Sequence, residues 1–330
     1  MAQRRRRPDG WGVAAVLAIT TIAATAVTAD LPDPRTQLGR VGRTTTPIEA
    51  LRPTSGFERH DPSNVIRHDG RFWVYYTWNR GDHAEVSVHL AVSEDGRDWV
   101  DLGQTLGGGH PGAWDESGTI APFCVMHESR FHLFYTGFRG GDLATRAIGC
   151  AIADHPTGPW QRWAGNPVLG RGRDRRDWDS GMVGDSNVIF REGRWWLYYK
   201  GRRREETSRQ TRVGVATAER LTGPFFKHGG NPLFAGHAFS VWRHRGGVAA
   251  LCGEISPAIK WSIDGLAFED VGMLPNSSTG LFIPDRDADP GDRHGFDWGL
   301  DVCEENGVRG LCRFDCERKI ADGSRLRESP

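Results

Sequence analysis

Arg71-Phe-Trp-Val-Tyr-Tyr-Thr77, Arg130-Phe-His-Leu-Phe-Tyr-Thr136 and Arg194-Trp-Trp-Leu-Tyr-Tyr-Lys200 are three versions of one segment. Each opens on Arg and runs through aromatic and aliphatic residues, a composition that suits a buried β-strand. A turn with a small or acidic residue introduces each one: Asp69-Gly70, Glu128-Ser129 and Glu192-Gly193. A second strand follows every time, at Val88–Ser93, Ile148–Ala153 and Val213–Ala218, and then a Gly turn and an aromatic residue (Trp99, Trp160, Phe225). A fourth, shorter copy runs through Val248–Leu251, Ile259–Ser262 and Phe268, and a fifth through Gly280–Ile283, Trp298–Val302 and Gly310–Phe314. Tyr135 lies 60 residues after Tyr75, and Tyr199 lies 64 after Tyr135. That period fits four short strands with their loops, the unit of a propeller blade. A β-sandwich gives no reason for one strand pair to recur. The pattern predicts an all-β protein, a five-bladed β-propeller over residues 53–330.

The 330 residues include 43 Gly, which suits many tight turns, and 13 Trp, which suits both core packing and stacking on the flat faces of sugars. Arg4 to Arg7 precede an uncharged run from Trp11 to Ala29 that ends in small residues before Asp30. This predicts a secretory signal over 1–29, hence a secreted or periplasmic protein, with an uncleaved membrane anchor as the alternative. Residues 30–52 read as an N-terminal extension. Without residues 1–29 the chain loses four Arg and Asp9, leaving 38 basic and 41 acidic residues. Such a balance argues against nucleic acid or a membrane surface as a partner, and oligomeric state stays open. The six Cys show neither a CxxC pair nor metal-site spacing. Cys303 and Cys312 flank the turn Glu304-Glu305-Asn306-Gly307 and are candidates for pairing across a hairpin. No cofactor is expected, although a divalent cation in the axial channel stays open.

Blade alignment points to the chemistry. The residues that begin each innermost strand of a propeller converge on the central axis. Counting back from the common strand, this slot holds Asp61 in the first blade, Ala121 in the second, Asp185 in the third and Ala238 in the fourth. One Asp at such a place is readily explained as a turn cap. Two at matched positions favour a functional carboxylate pair. Glycoside hydrolysis needs such an arrangement, with one carboxylate to activate water and a second group to protonate the leaving oxygen. Asp61 is the candidate general base and Asp185 the sugar-orienting carboxylate. His237 is the candidate acid, since an imidazole of ordinary pKa, ~6.5, is partly protonated near neutrality.

Asp61-Pro62-Ser63 leading into Phe72–Tyr76, Tyr198-Tyr-Lys-Gly201, Gly236-His237 followed by Val241-Trp242, and Trp298-Gly-Leu300 together resemble glycoside hydrolase family 117. The resemblance covers roughly Pro53 to Phe314 and is related in architecture to family 43. It implies a five-bladed propeller enzyme that removes 3,6-anhydro-L-galactose from the non-reducing end of α-1,3-linked oligosaccharides with inversion. Asp61 then matches the base, Asp185 the second carboxylate and His237 the acid. The family pattern has Glu directly after that His, where this chain has Ala238. A family 43-like arabinofuranosidase or galactosidase and a non-catalytic sugar-binding propeller are the alternatives. Trp78 and Trp242 are candidate stacking residues for an oligosaccharide substrate. Glu116 and Glu254 are candidate replacement acids, and Lys200 and Arg202 are candidate binders of a sugar hydroxyl or an anionic group.

Overall fold

The computed structural model describes residues 41–80, 85–140, 145–253, 257–274, 279–284 and 295–317. They form five antiparallel sheets, arranged as a five-bladed β-propeller. The first blade comprises Phe57–His60 with Ile66–His68, then Arg71–Arg80, Val86–Ser93 and Trp99–Leu106. The second runs Gly118–His127, Arg130–Phe138, Ala147–Ala153 and Gln161–Arg162. The third runs Met182–Arg191, Arg194–Arg202, Arg212–Ala218 and Phe226–Lys227, with Phe234–Ala235 also on its third strand. The fourth is Phe239–His244, Gly247–Cys252, Ala258–Ser262 and Glu269–Gly272. The fifth holds Trp298–Glu305 and Val308–Glu317, with Leu281 bridged to Gly299 on its inner side.

The aromatic doublet of the repeated strand explains how the blades adhere. Neighbouring residues of a strand point to opposite faces, so each doublet serves two interfaces. Tyr75, Phe134 and Tyr198 point toward the following blade, while Tyr76, Tyr135 and Tyr199 point toward the preceding one. All six are fully buried. Buried hydroxyls need partners, and each Tyr has one. Tyr75 donates to the Pro156 carbonyl, Tyr198 to that of Gly265, and Tyr76 to Asp101. Tyr135 and Tyr199 donate to Asp115 and Asp179, both at 2.9 Å. Those two buried carboxylates are further compensated by Arg162 and Lys227, at 2.8 and 2.5 Å.

Two expectations are corrected here. Gly42–Pro47 falls within the expected N-terminal extension, yet it is the outermost strand of the fifth blade, paired antiparallel with Cys312–Glu317. The ring is thus closed by chain from both ends of the domain, and the propeller begins at 42 rather than 53. Cys303 and Cys312 do not face each other directly: Cys303 is opposite Gly310 and Cys312 opposite Asp301. Their thiols still interact, and the hydrogen bond from Cys312 lowers the Cys303 pKa. Among the described residues no disulfide links any of the six cysteines. Residues 1–29, with the expected signal, and Glu254 lie outside the described residues. Among the described residues no helix is long and apolar enough to cross a membrane.

Candidate active site

The aligned slots are real and have a common backbone. Asp61, Ala121 and Asp185 all adopt positive φ, at 47°, 49° and 48°. In the second and third blades each sits in a β-bulge, between Ile120 and Phe123 and between Gly184 and Asn187. A bulge re-aims a side chain away from the sheet's regular alternation, and here it turns the slot toward the axis. Asp tolerates this left-handed region better than most residues. Ala121 adopts it as well, however, so the backbone alone does not demand a carboxylate at 61 and 185.

The last residue of the common strand braces the next slot. Thr77 accepts a hydrogen bond from the Ala121 N–H (2.8 Å), and Thr136 accepts one from the Asp185 N–H (3.0 Å). At the third equivalent position stands Lys200, which only donates and so cannot brace a fourth slot. No bulge forms there, because Phe239 pairs with Cys252 and the register continues unbroken to His244 and Gly247. The placing of Ala238 in the same slot is therefore corrected: it lies in the bend before a regular strand.

Asp61, Ala121, Asp185 and Phe239 line one axial pocket together with the residues that follow them and with Thr279-Gly280 of the fifth blade. The pocket is a small, open depression at the axis. Asn64 and Asn187 hold its floor. Asn64 exchanges hydrogen bonds with the Cys124 carbonyl (2.9 Å) and N–H (3.0 Å). Asn187 does the same to Phe239 and Val241, at 3.4 and 3.0 Å. The Ser186 hydroxyl is buried on this wall, and among the described residues it has no partner.

The two carboxylates are held differently. Asp61 Oδ2 lies 2.9 Å from His60 Nδ1 and 3.3 Å from the Thr77 hydroxyl. The far nitrogen of His60 meets Asn79 at 2.6 Å. Protein encloses Asp61, which by itself would raise its pKa, but His60 and the more distant Lys200 and Arg309 hold it far below the usual carboxylate range. The side chain still keeps 37% of its surface open through the pocket. Asp61 is thus ionised and open to the pocket, and its position, rather than its base strength, makes it the candidate proton acceptor. Asp185 is instead locked in an ion pair with Lys200, at 2.5 Å, with little of either side chain exposed.

His237 joins this group and donates to or accepts from the Thr211 hydroxyl at 3.1 Å. Burial brings its pKa down to about 4. Lys200 and Arg202 add to that shift, while Asp185 and Asp61 oppose it. The ordinary imidazole pKa expected from sequence is thus corrected, and the ring is neutral at pH 7. Arg202 shares a strand face with Lys200 two residues earlier. Arg146, which the sequence did not point out, belongs to the same electrostatic cluster with Asp185, Asp61 and Arg202.

Three other expected contributors are elsewhere. The indole of Trp78 is stacked between Phe57 and His89, with centroids 5.2 and 5.0 Å away, so both its faces are occupied. Trp242 is 3% exposed and meets Phe296 edge-on at the seam of the fourth and fifth blades. Neither lines the pocket. Glu116 accepts the Gly112 N–H (2.5 Å) and pairs with Arg139 (3.1 Å), which commits it to a turn. Among the described residues there is no group of three or more His, Cys, Asp or Glu able to hold a metal.

The model of the glycosyl hydrolases family 32 N-terminal domain matches residues 51–215, half of the chain. A family 117 glycoside hydrolase from the marine bacterium Zobellia galactanivorans is 25% identical, with a TM-score of 0.71 over 84% of this chain and 90% of that one. A family 43 subfamily 1 enzyme from Xanthomonas citri, in complex with xylose, is 16% identical, with a TM-score of 0.52 over 84% of this chain and 94% of that one. A search of curated sequences returned no match.

Proposed function

The chain belongs to the glycosyl hydrolase family 32 N-terminal-domain family and is a propeller glycoside hydrolase, and we propose that it is an exported, exo-acting enzyme that inverts the configuration at the sugar it releases. The observation that carries this reading is the pair Asp61 and Asp185, brought to one small pocket by the same backbone device in two blades. Asp61 receives the proton of the attacking water. Asp185, held in place by Lys200, accepts a hydrogen bond from a sugar hydroxyl and stabilises positive charge as the ring approaches the oxocarbenium-like state.

His237 is the proton donor to the leaving oxygen. With its pKa near 4, the donor form declines above that pH, whereas Asp61 stays ionised well below it. The active window is accordingly acidic. The released sugar is 3,6-anhydro-L-galactose from an α-1,3 linkage if the likeness to the family 117 enzyme extends to substrate. The xylose-bound family 43 relative supports a second reading, a pentosidase on the same frame.

The deciding experiment measures sugar release from agar, carrageenan, arabinan and galactan oligosaccharides by the wild type and by Asp61→Asn. Loss of a general base costs ~10²–10⁴ in rate. Undiminished release by Asp61→Asn overturns the base assignment. Binding without any release across the panel makes the chain a sugar-binding propeller.

A further inference from the structure

Two guanidinium groups in the electrostatic neighbourhood of Asp61 and Asp185 have no counter-ion among the described residues. Strand geometry places both. Thr136 directs its hydroxyl at the Asp185 N–H, and Phe138, two residues on, shares that face. Ala147 pairs with Gly137 across the sheet, so Arg146 comes opposite Phe138, its guanidinium 5.8 Å from the ring centroid. On the adjoining blade Lys200 pairs with Asp185, and Arg202 follows on the same face. Lys200 and Asp185 neutralise each other, and Asp61 is held by His60. Among the described residues neither Arg146 nor Arg202 forms an ion pair. A guanidinium withdrawn from water without a counter-ion is unfavourable, and a second one nearby makes it worse. Burial and Arg202 indeed both disfavour the charge on Arg146, against the pull of Asp185 and Asp61. An anion placed between the two Arg relieves both penalties, and the guanidinium fork fits a carboxylate or sulfate through paired hydrogen bonds.

We propose that Arg146 and Arg202 form a subsite for an anionic substituent, a sulfate ester or a uronate carboxylate, on the sugar bound over Asp61 and Asp185. The subsite rests on the glycosidase reading of the pocket, and it names the substrate class as acidic rather than neutral sugars. Phe138 supplies an apolar wall that keeps Arg146 extended toward the bound anion.

The test measures binding of paired monosaccharides to the full chain by titration calorimetry. Galactose is compared with galactose 6-sulfate and galacturonate, and glucose with glucose 6-sulfate and glucuronate. At least one acidic sugar should bind about 10- to 100-fold more tightly than its neutral counterpart, and added salt should shrink the preference. Which acid wins distinguishes sulfate from uronate. Arg146→Met and Arg202→Met should each reduce the acidic-to-neutral ratio about tenfold, and Arg146→Lys should retain part of it. Equal binding of acidic and neutral sugars, no binding of any acidic sugar, or a preference that survives both Met substitutions overturns the subsite. Because these monosaccharides contain no glycosidic bond, the result is independent of glycoside turnover. A charge preference with no hydrolysis of any oligosaccharide removes the enzyme reading alone, and hydrolysis without charge preference removes the subsite alone.

Discussion

Replacing Lys200 by Met tests whether the site is built on a buried ion pair. The Lys200 Nζ and Asp185 Oδ2 are 2.5 Å apart, and their side chains are only 9% and 16% exposed. At an effective dielectric near 20, two charges that close attract by roughly 6–7 kcal/mol, most of which offsets the removal of both from water. Deleting one partner leaves the other buried and uncompensated, which typically costs about 3–5 kcal/mol. We expect Lys200→Met to lose about 3 kcal/mol, read from the urea midpoint at pH 7. Lys200→Thr should lose less, since Thr77 and Thr136 fill the equivalent positions and a hydroxyl can donate to the carboxylate. Lys200→Met combined with Asp185→Asn should recover much of the loss. A Lys200→Met midpoint within about 1 kcal/mol of wild type would refute the buried-pair argument, and with it the claim that Lys200 holds Asp185 in place.

His237 should titrate near pH 4 by NMR, and Lys200→Met should raise that value, because it removes a cation and leaves Asp185 unbalanced. The sign for stability follows: between pH 6.5 and about 4 the unfolded ring carries a proton that the folded ring lacks, so stability falls as pH falls through that window, and His237→Gln should flatten this part of the curve. His237→Ala should slow release most for substrates with poor leaving groups, and an unchanged rate on those would move the acid role to another residue. Trp242→Ala should cost roughly 3–5 kcal/mol of stability as a core truncation, with wild-type sugar affinity in whatever fraction stays folded, as measured by calorimetry. Asn187→Ala strips partners from Val241 N–H and the Phe239 carbonyl and should cost about 1–3 kcal/mol in the same urea experiment.

The fold was legible because each blade repeats one aromatic doublet, and repetition survives any uncertainty about individual strand ends. The slot of Asp61 and Asp185 was legible for the same reason: counting back along a repeat locates a bulge without knowing that it is one. Counting failed in the fourth blade, where Lys200 replaces the bracing Thr and no bulge forms around Ala238. Trp78 and Trp242 misled because sequence proximity to the slot does not say which face a side chain takes, and both turned into seams between blades. Arg146 could not be found from sequence, since its place depends on which residue meets Phe138 across the sheet after an intervening loop. His237 was legible as a residue but its lowered pKa was not, because that shift depends on burial and on cations from the neighbouring strand.

The strand Gly42–Pro47 pairs with the last strand of the ring, Gly42 lying opposite Glu317. During synthesis this strand leaves the ribosome early and waits for a partner some 270 residues downstream, on the order of 10–50 s at ordinary elongation rates. A waiting hydrophobic strand would invite other chains to pair with it. Gly-Arg-Thr-Thr-Thr-Pro has no large apolar side chain, and its Pro blunts one end. The latch that completes the ring is thus polar enough to remain unpaired in solution until the final strand arrives.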